Sequence, residues 1–251
     1  MKLRFATRLG SVSRAVAAAA LLALAGCASS PTVDESGLRI NDPYERVNRG
    51  THAFNKGADR VVLRPVAQVY DAVTPGLVQF LIRNALNHLE LPRDFANHLL
   101  QGDAERAGAT FLRFGVNTLV GAGGLLDPAT AFELPKDDAD FGMTLTKWGL
   151  GEGIYYEIPL LGPSTVRHTA GRVVDIAFAP TTYLGNPVFG AVVQGVRITE
   201  ARASNFDAID SVLYESADSY ASSRSIYLQS RRRFVGDSTP ENEPAPDIFA
   251  E

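Results

Sequence analysis

The chain has 251 residues, with 24 basic and 28 acidic side chains and a formal charge of −4. So acidic a balance, with no basic stripe, argues against nucleic acid as a partner. One cysteine leaves no intrachain disulfide to hold the fold, and the length suits a single domain.

The first 26 residues read as a targeting segment. Lys2, Arg4, Arg8 and Arg14 precede an unbroken apolar run from Ala15 to Ala25, and no acidic residue occurs before Asp34. That run is too short to cross a bilayer core of ~30 Å but suits a secretory h-region. Leu24-Ala25-Gly26-Cys27 follows. This is the bacterial lipobox pattern, which makes Cys27 the predicted lipidation site and the new N-terminus. A lone thiol in an exported chain has no partner to pair with, and an anchor gives it a use. One acyl chain binds a membrane marginally and two bind stably. Ala28 stands where an aspartate would signal inner-membrane retention, so the outer membrane, facing the periplasm, is expected. Four of the 24 basic residues fall in the removed segment, leaving 20 against 28 acidic and a mature charge of about −8.

Residues 27–41 are small, polar and aperiodic and read as a lipidated tether. Residues 42–235 form the expected body. Its first clear helix lies in "TPGLVQFLIRNALNHLE", with Thr74 as N-cap and Pro75 at the first helical position. The next is capped by Asp103, with a polar stripe at Arg106, Thr110, Arg113 and Asn117 among Phe111, Leu112, Phe114 and Leu119. "GIYYEIPLL" (153–161) is a short strand or an extended connector. A third long helix is predicted from about Asn205 to Arg233, ending in "RRRF", whose arginines suit a helix C-terminus. Residues 236–251 carry three prolines and no periodicity and read as a disordered tail. The class is mainly α.

No mature segment offers 18 consecutive apolar residues, yet several helices carry wide apolar faces. That combination suits helices lying within one leaflet, or faces that simply bury a globular core. Catalytic patterns are thin. Ser164, His168 and Asp175 can be strung into a triad, but a helix start explains Ser164 better. The four histidines lack metal-ligand spacing, and Glu90, Asp94 and Asp103 read as caps or solvated carboxylates. "GAGG" (121–124) and "GLGEG" (149–153) lack the strand–turn–helix context of a dinucleotide loop. No cofactor is expected.

Read as whole motifs, "NDPYERVNRGTHAFN" (41–55), "VLRPVAQVY" (62–70), "RFGVNTLVGAGGLLDPAT" (113–130) and "DADFGMTLTKWGLGEGIYYEIPLLGPSTVR" (138–167) resemble the MlaA/VacJ family of outer-membrane lipoproteins. The resemblance implies a single helical domain, a flat ring around an amphipathic channel, held in the inner leaflet beside a trimeric porin. It further implies that phospholipid astray in the outer leaflet is passed to a soluble periplasmic lipid carrier, with no bond broken. Phe54 and Asn55 match the family's aromatic–asparagine segment beside the channel, and Gly149, Gly151 and Gly153 its glycine-rich turn. The polar stripe at Arg106, Arg113 and Asn117 would then face either a headgroup path or the periplasm. Val47, His52 and His168 depart from the family pattern. An envelope phospholipase and a purely structural porin adaptor are the competing readings.

Overall fold

The computed structural model describes residues 32–33, 39–183 and 187–236. The expected signal segment, Cys27, most of the expected tether and the chain beyond residue 236 lie outside them. Helices dominate, as the periodicity implies. Strands β1 (Thr32–Val33) and β2 (Arg39–Ile40) pair antiparallel, as do β3 (Tyr155–Ile158) and β4 (Gly162–Thr165). The stretch 153–161 is thus the first half of a hairpin.

Helical structure begins with a nearly continuous rod: α1 (Glu45–Ala58), one π-helical turn (Asp59–Leu63) and α2 (Arg64–Val73). The Arg64 N–H bonds to the Asp59 carbonyl, five residues back. That wider turn sits just before Pro65, which has no N–H to give to an ordinary α-helix. Helix α3 (Gly76–His88) starts later than expected. Thr74 ends α2 instead, its N–H on the Tyr70 carbonyl, and Pro75 takes the capping position. The residue before a proline is driven out of helical geometry, and Thr74 at ψ 113° obeys that rule.

Helices α4 (Leu91–Leu100) and α5 (Ala104–Leu119) pack together, and Asp103 caps α5 by accepting from the Arg106 N–H. Short α6 (Pro128–Ala131) and α7 (Phe141–Lys147) precede the hairpin. Then come α8 (Val166–Phe178), α9 (Pro180–Tyr183), α10 (Pro187–Ser204) and α11 (Phe206–Asp210). A second π-helical turn (Ser211–Glu215) leads to α12 (Ser219–Val235). The long helix expected over 205–233 is therefore two. Ser216 is extended, and the Asp218 carboxylate caps a fresh start by accepting from the Tyr220 and Ala221 N–H groups.

Contacts between elements close into a circuit. Strand β3 packs on α1, which continues through the π turn to α2. Helix α2 packs on α10, α10 on α9, α9 on α8, α8 on β4, and β4 pairs with β3. Outside this ring, α4 packs against α5, α7 and α8, while α12 covers α7 and β4.

The packing is inverted relative to a water-soluble domain. Among the described residues, buried polar side chains outnumber buried apolar ones. Asp94, Asn97, His98, Thr144 and Ser164 are fully enclosed. The apolar clusters are small: Ile40, Tyr155, Tyr220 and Leu228 in one, Ala139, Met143 and Val235 in the other. Meanwhile Val61, Val69, Val73, Leu77, Phe111, Leu112, Leu119 and Phe132 stand exposed. So many exposed large apolar side chains around a polar interior mark a surface built to meet something other than water.

Helix α5 shows the inversion and corrects an expectation. Most of its polar stripe lines neither the large cavity of the ring nor the surface: Thr110, Arg113 and Asn117 are buried inside the fold. Arg113 donates to Asp127, Thr130 and the Leu134 carbonyl. Asn117 donates to Asp127 at 2.9 Å and accepts from the Ala129 N–H. Arg106 alone is exposed, 3.4 Å from Asp103 and Asp137. The polar face organises the loop 120–134, and the apolar face is turned outward.

Candidate functional site

The ring encloses a cavity of 1160 Å³, above the ~300–1,000 Å³ typical of small-molecule sites. Its wall combines apolar side chains, including Val62, Leu63, Val173, Ile176, Val193 and Ile198, with charged ones, including Lys56, Glu90, Arg93, Arg172, Arg197 and Arg202. A wall of both kinds can receive a molecule with a polar end and an apolar body.

One side is built by α1, which pins the hairpin through three residues at helical spacing. Asn48 accepts from the Glu157 N–H at 3.1 Å and donates to the Tyr155 carbonyl and Asp42. Asn55, two turns on, accepts from the Leu160 N–H at 2.7 Å and donates to the Ile158 carbonyl at 3.1 Å. The two amides thus serve backbone groups of the hairpin as a neighbouring strand would. Between them, buried His52 meets Glu157 at 2.9 Å and Ser219 at 3.1 Å. The departure from the family's aromatic at this position is a polar link from α1 to both β3 and α12. Leu160, held at φ 63°, and Leu161 project from the hairpin tip onto the cavity wall.

A second side centres on Glu90, read from sequence as a scattered carboxylate. Its carboxylate receives Lys136 at 2.6 Å and Arg197 from α10. Neighbouring Arg93 pairs with Asp94 at 2.7 Å. Burial pushes the Asp94 carboxyl up to about 7, against the pull of Arg93. Across the ring, Arg202 clasps Asp59 at 2.9 Å and also reaches Asp210, which takes Arg64 at 2.7 Å. Tyr214 donates to Asp59 at 2.7 Å, and burial followed by that carboxylate pushes its hydroxyl up to about 12. Sequence spacing gave no sign of the pairs that join distant elements, since Glu90 and Arg197, Asp59 and Arg202, and Arg64 and Asp210 are each about 100 residues or more apart.

The residues expected at the lipid path separate. Asn55 lines the cavity. Phe54, on the same helix, is exposed and absent from the wall, as are Gly149, Gly151 and Gly153. Gly149 and Gly153 adopt φ 84° and 76° in the connector before β3, where left-handed backbone is the reason for glycine. In "GAGG", both reasons apply: a Cβ on Gly121 would lie 2.5 Å from the Asn117 carbonyl oxygen, Gly123 is left-handed at φ 73°, and Gly124 is left-handed at φ 92° with an added Cβ only 2.3 Å from His88. Cys27 lies outside the described residues.

The paper triad does not assemble. The Ser164 hydroxyl meets Thr169 at 2.7 Å, His168 meets the Tyr227 hydroxyl at 2.7 Å, and Asp175 accepts from Asn97 and the Phe141 N–H. Ser164 sits in β4, and Thr165 is the residue that caps α8. No group of three or more metal-ligating side chains occurs among the described residues. The arginines of "RRRF" staple rather than merely end their helix: Arg231 pairs with Asp140 at 2.6 Å and Arg232 with Glu152 at 2.9 Å.

With this geometry in hand, comparison with known proteins is specific. The family profile described as MlaA lipoprotein matches residues 40–234. The chain belongs to the MlaA lipoprotein family. Among its relatives, the Haemophilus influenzae "Intermembrane phospholipid transport system lipoprotein MlaA" is 32% identical, over 90% of this chain and 92% of that one. The Escherichia coli protein of the same description is 33% identical, over 88% of each. A solved structure reported under "Structural basis for maintenance of bacterial outer membrane lipid asymmetry" superposes with a TM-score of 0.70 at 33% identity. That match covers 77% of this chain and 98% of the other. The MlaA fold of the present chain is thus mainly helical, with a two-stranded hairpin closing the ring.

Proposed function

We propose that this chain is a lipid-anchored outer-membrane protein that takes phospholipid from the outer leaflet through its cavity and releases it to a soluble periplasmic lipid carrier. Cys27 carries the anchor, the exposed apolar belt sits in the inner leaflet, and a trimeric porin is the neighbour in the membrane. No bond is broken and no cofactor takes part. The observation that carries this reading is the inversion: apolar side chains outside, charged ones inside, and a cavity of mixed apolar and charged lining within the ring. No helix among the described residues is long and apolar enough to cross a membrane, so the belt is suited to one leaflet rather than to spanning.

Such a cavity lowers a specific barrier. Carrying a whole phospholipid through water exposes both acyl chains, at ~25 cal/mol per Å² of apolar area. A path that gives charged partners to the headgroup and keeps the tails against valine, leucine and isoleucine removes most of that cost. A passive path has no energy source, so the acceptor sets direction.

The test measures outer-leaflet phospholipid in cells lacking this protein, complemented with wild type or Cys27→Ala. Accumulation on deletion, reversed by wild type and not by Cys27→Ala, is the expected result. An unchanged outer leaflet on deletion would overturn the transport reading in favour of a porin adaptor.

A further inference from the structure

We infer that Arg172 is the phosphate anchor of the cavity, the side chain that holds the phosphodiester of a glycerophospholipid headgroup; this rests on the phospholipid reading above. The other arginines on the wall are already spent. Arg93 is paired with Asp94, Arg197 with Glu90, and Arg202 with Asp59 and Asp210. Lys56 donates to Ser219 at 3.2 Å and lies over the Tyr214 ring. Arg172 is exposed on the cavity wall and has no hydrogen bond or ion pair among the described residues.

The nearby carboxylates do not claim it. Asp175, three residues on along α8, accepts from Asn97 at 2.9 Å and from the Phe141 N–H at 3.1 Å. Asp140 is held by both terminal nitrogens of Arg231. His168, one turn before Arg172, is no competing cation: burial, then the charges of Arg231 and Arg172, hold it well below its usual range.

The chemistry this leaves open is narrow. A guanidinium offers two parallel N–H donors matched to a phosphate's oxygens, and it is less strongly hydrated than an ammonium. Val173 and Ile176 lie beside Arg172 on the same helix, both exposed and both on the wall. A phosphodiester held at Arg172 therefore places the glycerol and the start of its acyl chains against apolar surface. Inorganic phosphate shares the headgroup chemistry but gains nothing from that surface.

The experiment uses the full chain purified in a maltoside detergent. Phosphorus NMR follows titration with dihexanoylphosphatidylglycerol and, separately, with inorganic phosphate. Wild type is expected to bind the short-chain phospholipid at least ~tenfold more tightly than phosphate. Arg172→Gln is expected to weaken phospholipid binding about tenfold or more, Arg172→Glu to abolish it, and Arg172→Lys to keep most of it. Because the exposed side chain makes no hydrogen bond or ion pair among the described residues, all three are expected to unfold close to the wild-type temperature, which separates loss of binding from loss of fold. Equal binding by wild type and Arg172→Glu overturns the anchor, and so does phosphate binding as tightly as phospholipid. In cells, restoration of lipid asymmetry by wild type and equally by Arg172→Glu sinks the anchor alone. Failure of wild type to affect asymmetry sinks the functional reading and the anchor with it.

Discussion

Helices α5 and α12 are of similar length, and both bury charged residues, yet their outer faces differ. Helix α5 buries Arg113 and Asn117 and exposes Phe111, Leu112 and Leu119. Helix α12 buries Tyr220, Arg224, Leu228 and Arg232, while Gln229, Ser230 and Arg233 face outward. The interiors are alike because each arginine meets a carboxylate: Asp127 for Arg113, and Asp42 and Glu45 for Arg224. The exteriors differ in polarity, as they would if one met lipid and the other water, although α12 too exposes one large apolar side chain, Ile226. The difference teaches that the inner face of a helix is fixed by the fold, whereas its outer face reports what surrounds the molecule.

The shared interior gives the largest expected effects. Asp127→Ala strands a buried guanidinium beside α5, and Asp42→Ala removes the acceptor of Arg224, Tyr220 and Asn48. Each is expected to cost about 3 kcal/mol or more, read as denaturant midpoints in detergent. A large effect at one site and none at the other would break the likeness.

Close backbone approach comes next. A Cβ on Gly171 would lie 2.4 Å from the Gly142 backbone nitrogen, where α8 crosses α7. Gly171→Ala is expected to destabilise by about 1–3 kcal/mol, whereas Gly115→Ala in α5, with nothing within 4 Å of its added Cβ, is expected to be neutral or slightly stabilising. Thermal unfolding of the pair measures the contrast.

Interior charge also sets a pH dependence. Asp94 binds its proton more tightly folded than unfolded, so its contribution to stability is full below the ordinary carboxylate range and is lost as pH rises towards about 7. His168, held low, acts in the opposite sense: its contribution is full above about 6.5 and is lost as pH falls. Asp94→Asn is therefore expected to make the protein relatively less stable on acidification than wild type, and His168→Asn relatively more stable. Melting temperatures between pH 4 and 8 reveal the two tilts, and a common tilt would contradict the assignment.

The smallest effect on folding is at the outer faces, within about 0.5 kcal/mol, although the effect on location is not small. In a Cys27→Ala background, Leu112→Asp with Leu119→Asp is expected to release the chain into the soluble fraction. Gln229→Asp with Ser230→Asp is expected to leave its membrane association unchanged. Fractionation of cell envelopes decides it, and equal behaviour would mean that α5 does not face lipid.

Much of this was legible in sequence. The helical class followed from periodicity, Asp103 was readable as a cap because the cap lies next to what it caps, and long motifs carried the family. Thr74 was misread because a threonine before proline satisfies the pattern of a helix start and of a helix end equally well. The 205–233 segment looked continuous because apolar spacing persists across Asp218 while the backbone does not. The stripe on α5 was recognised, but its direction was not, since an amphipathic period shows that two faces differ without saying which one is buried.

Most local elements, the acidic charge, the Leu-Ala-Gly-Cys27 motif and the family are readable without a fold, because each depends on residues near one another in the chain or on long ordered strings. It took the fold to turn the polar faces inward, to make Asn48 and Asn55 stand in for a strand, and to bring Glu90 and Asp59 to Arg197 and Arg202 of α10. The contacts of Asn48 and Asn55 with the hairpin, of Glu90 with Arg197 and of Asp59 with Arg202 join residues about 100 or more positions apart. They decide which arginine on the cavity wall is left without a partner, and no spacing rule reaches that far.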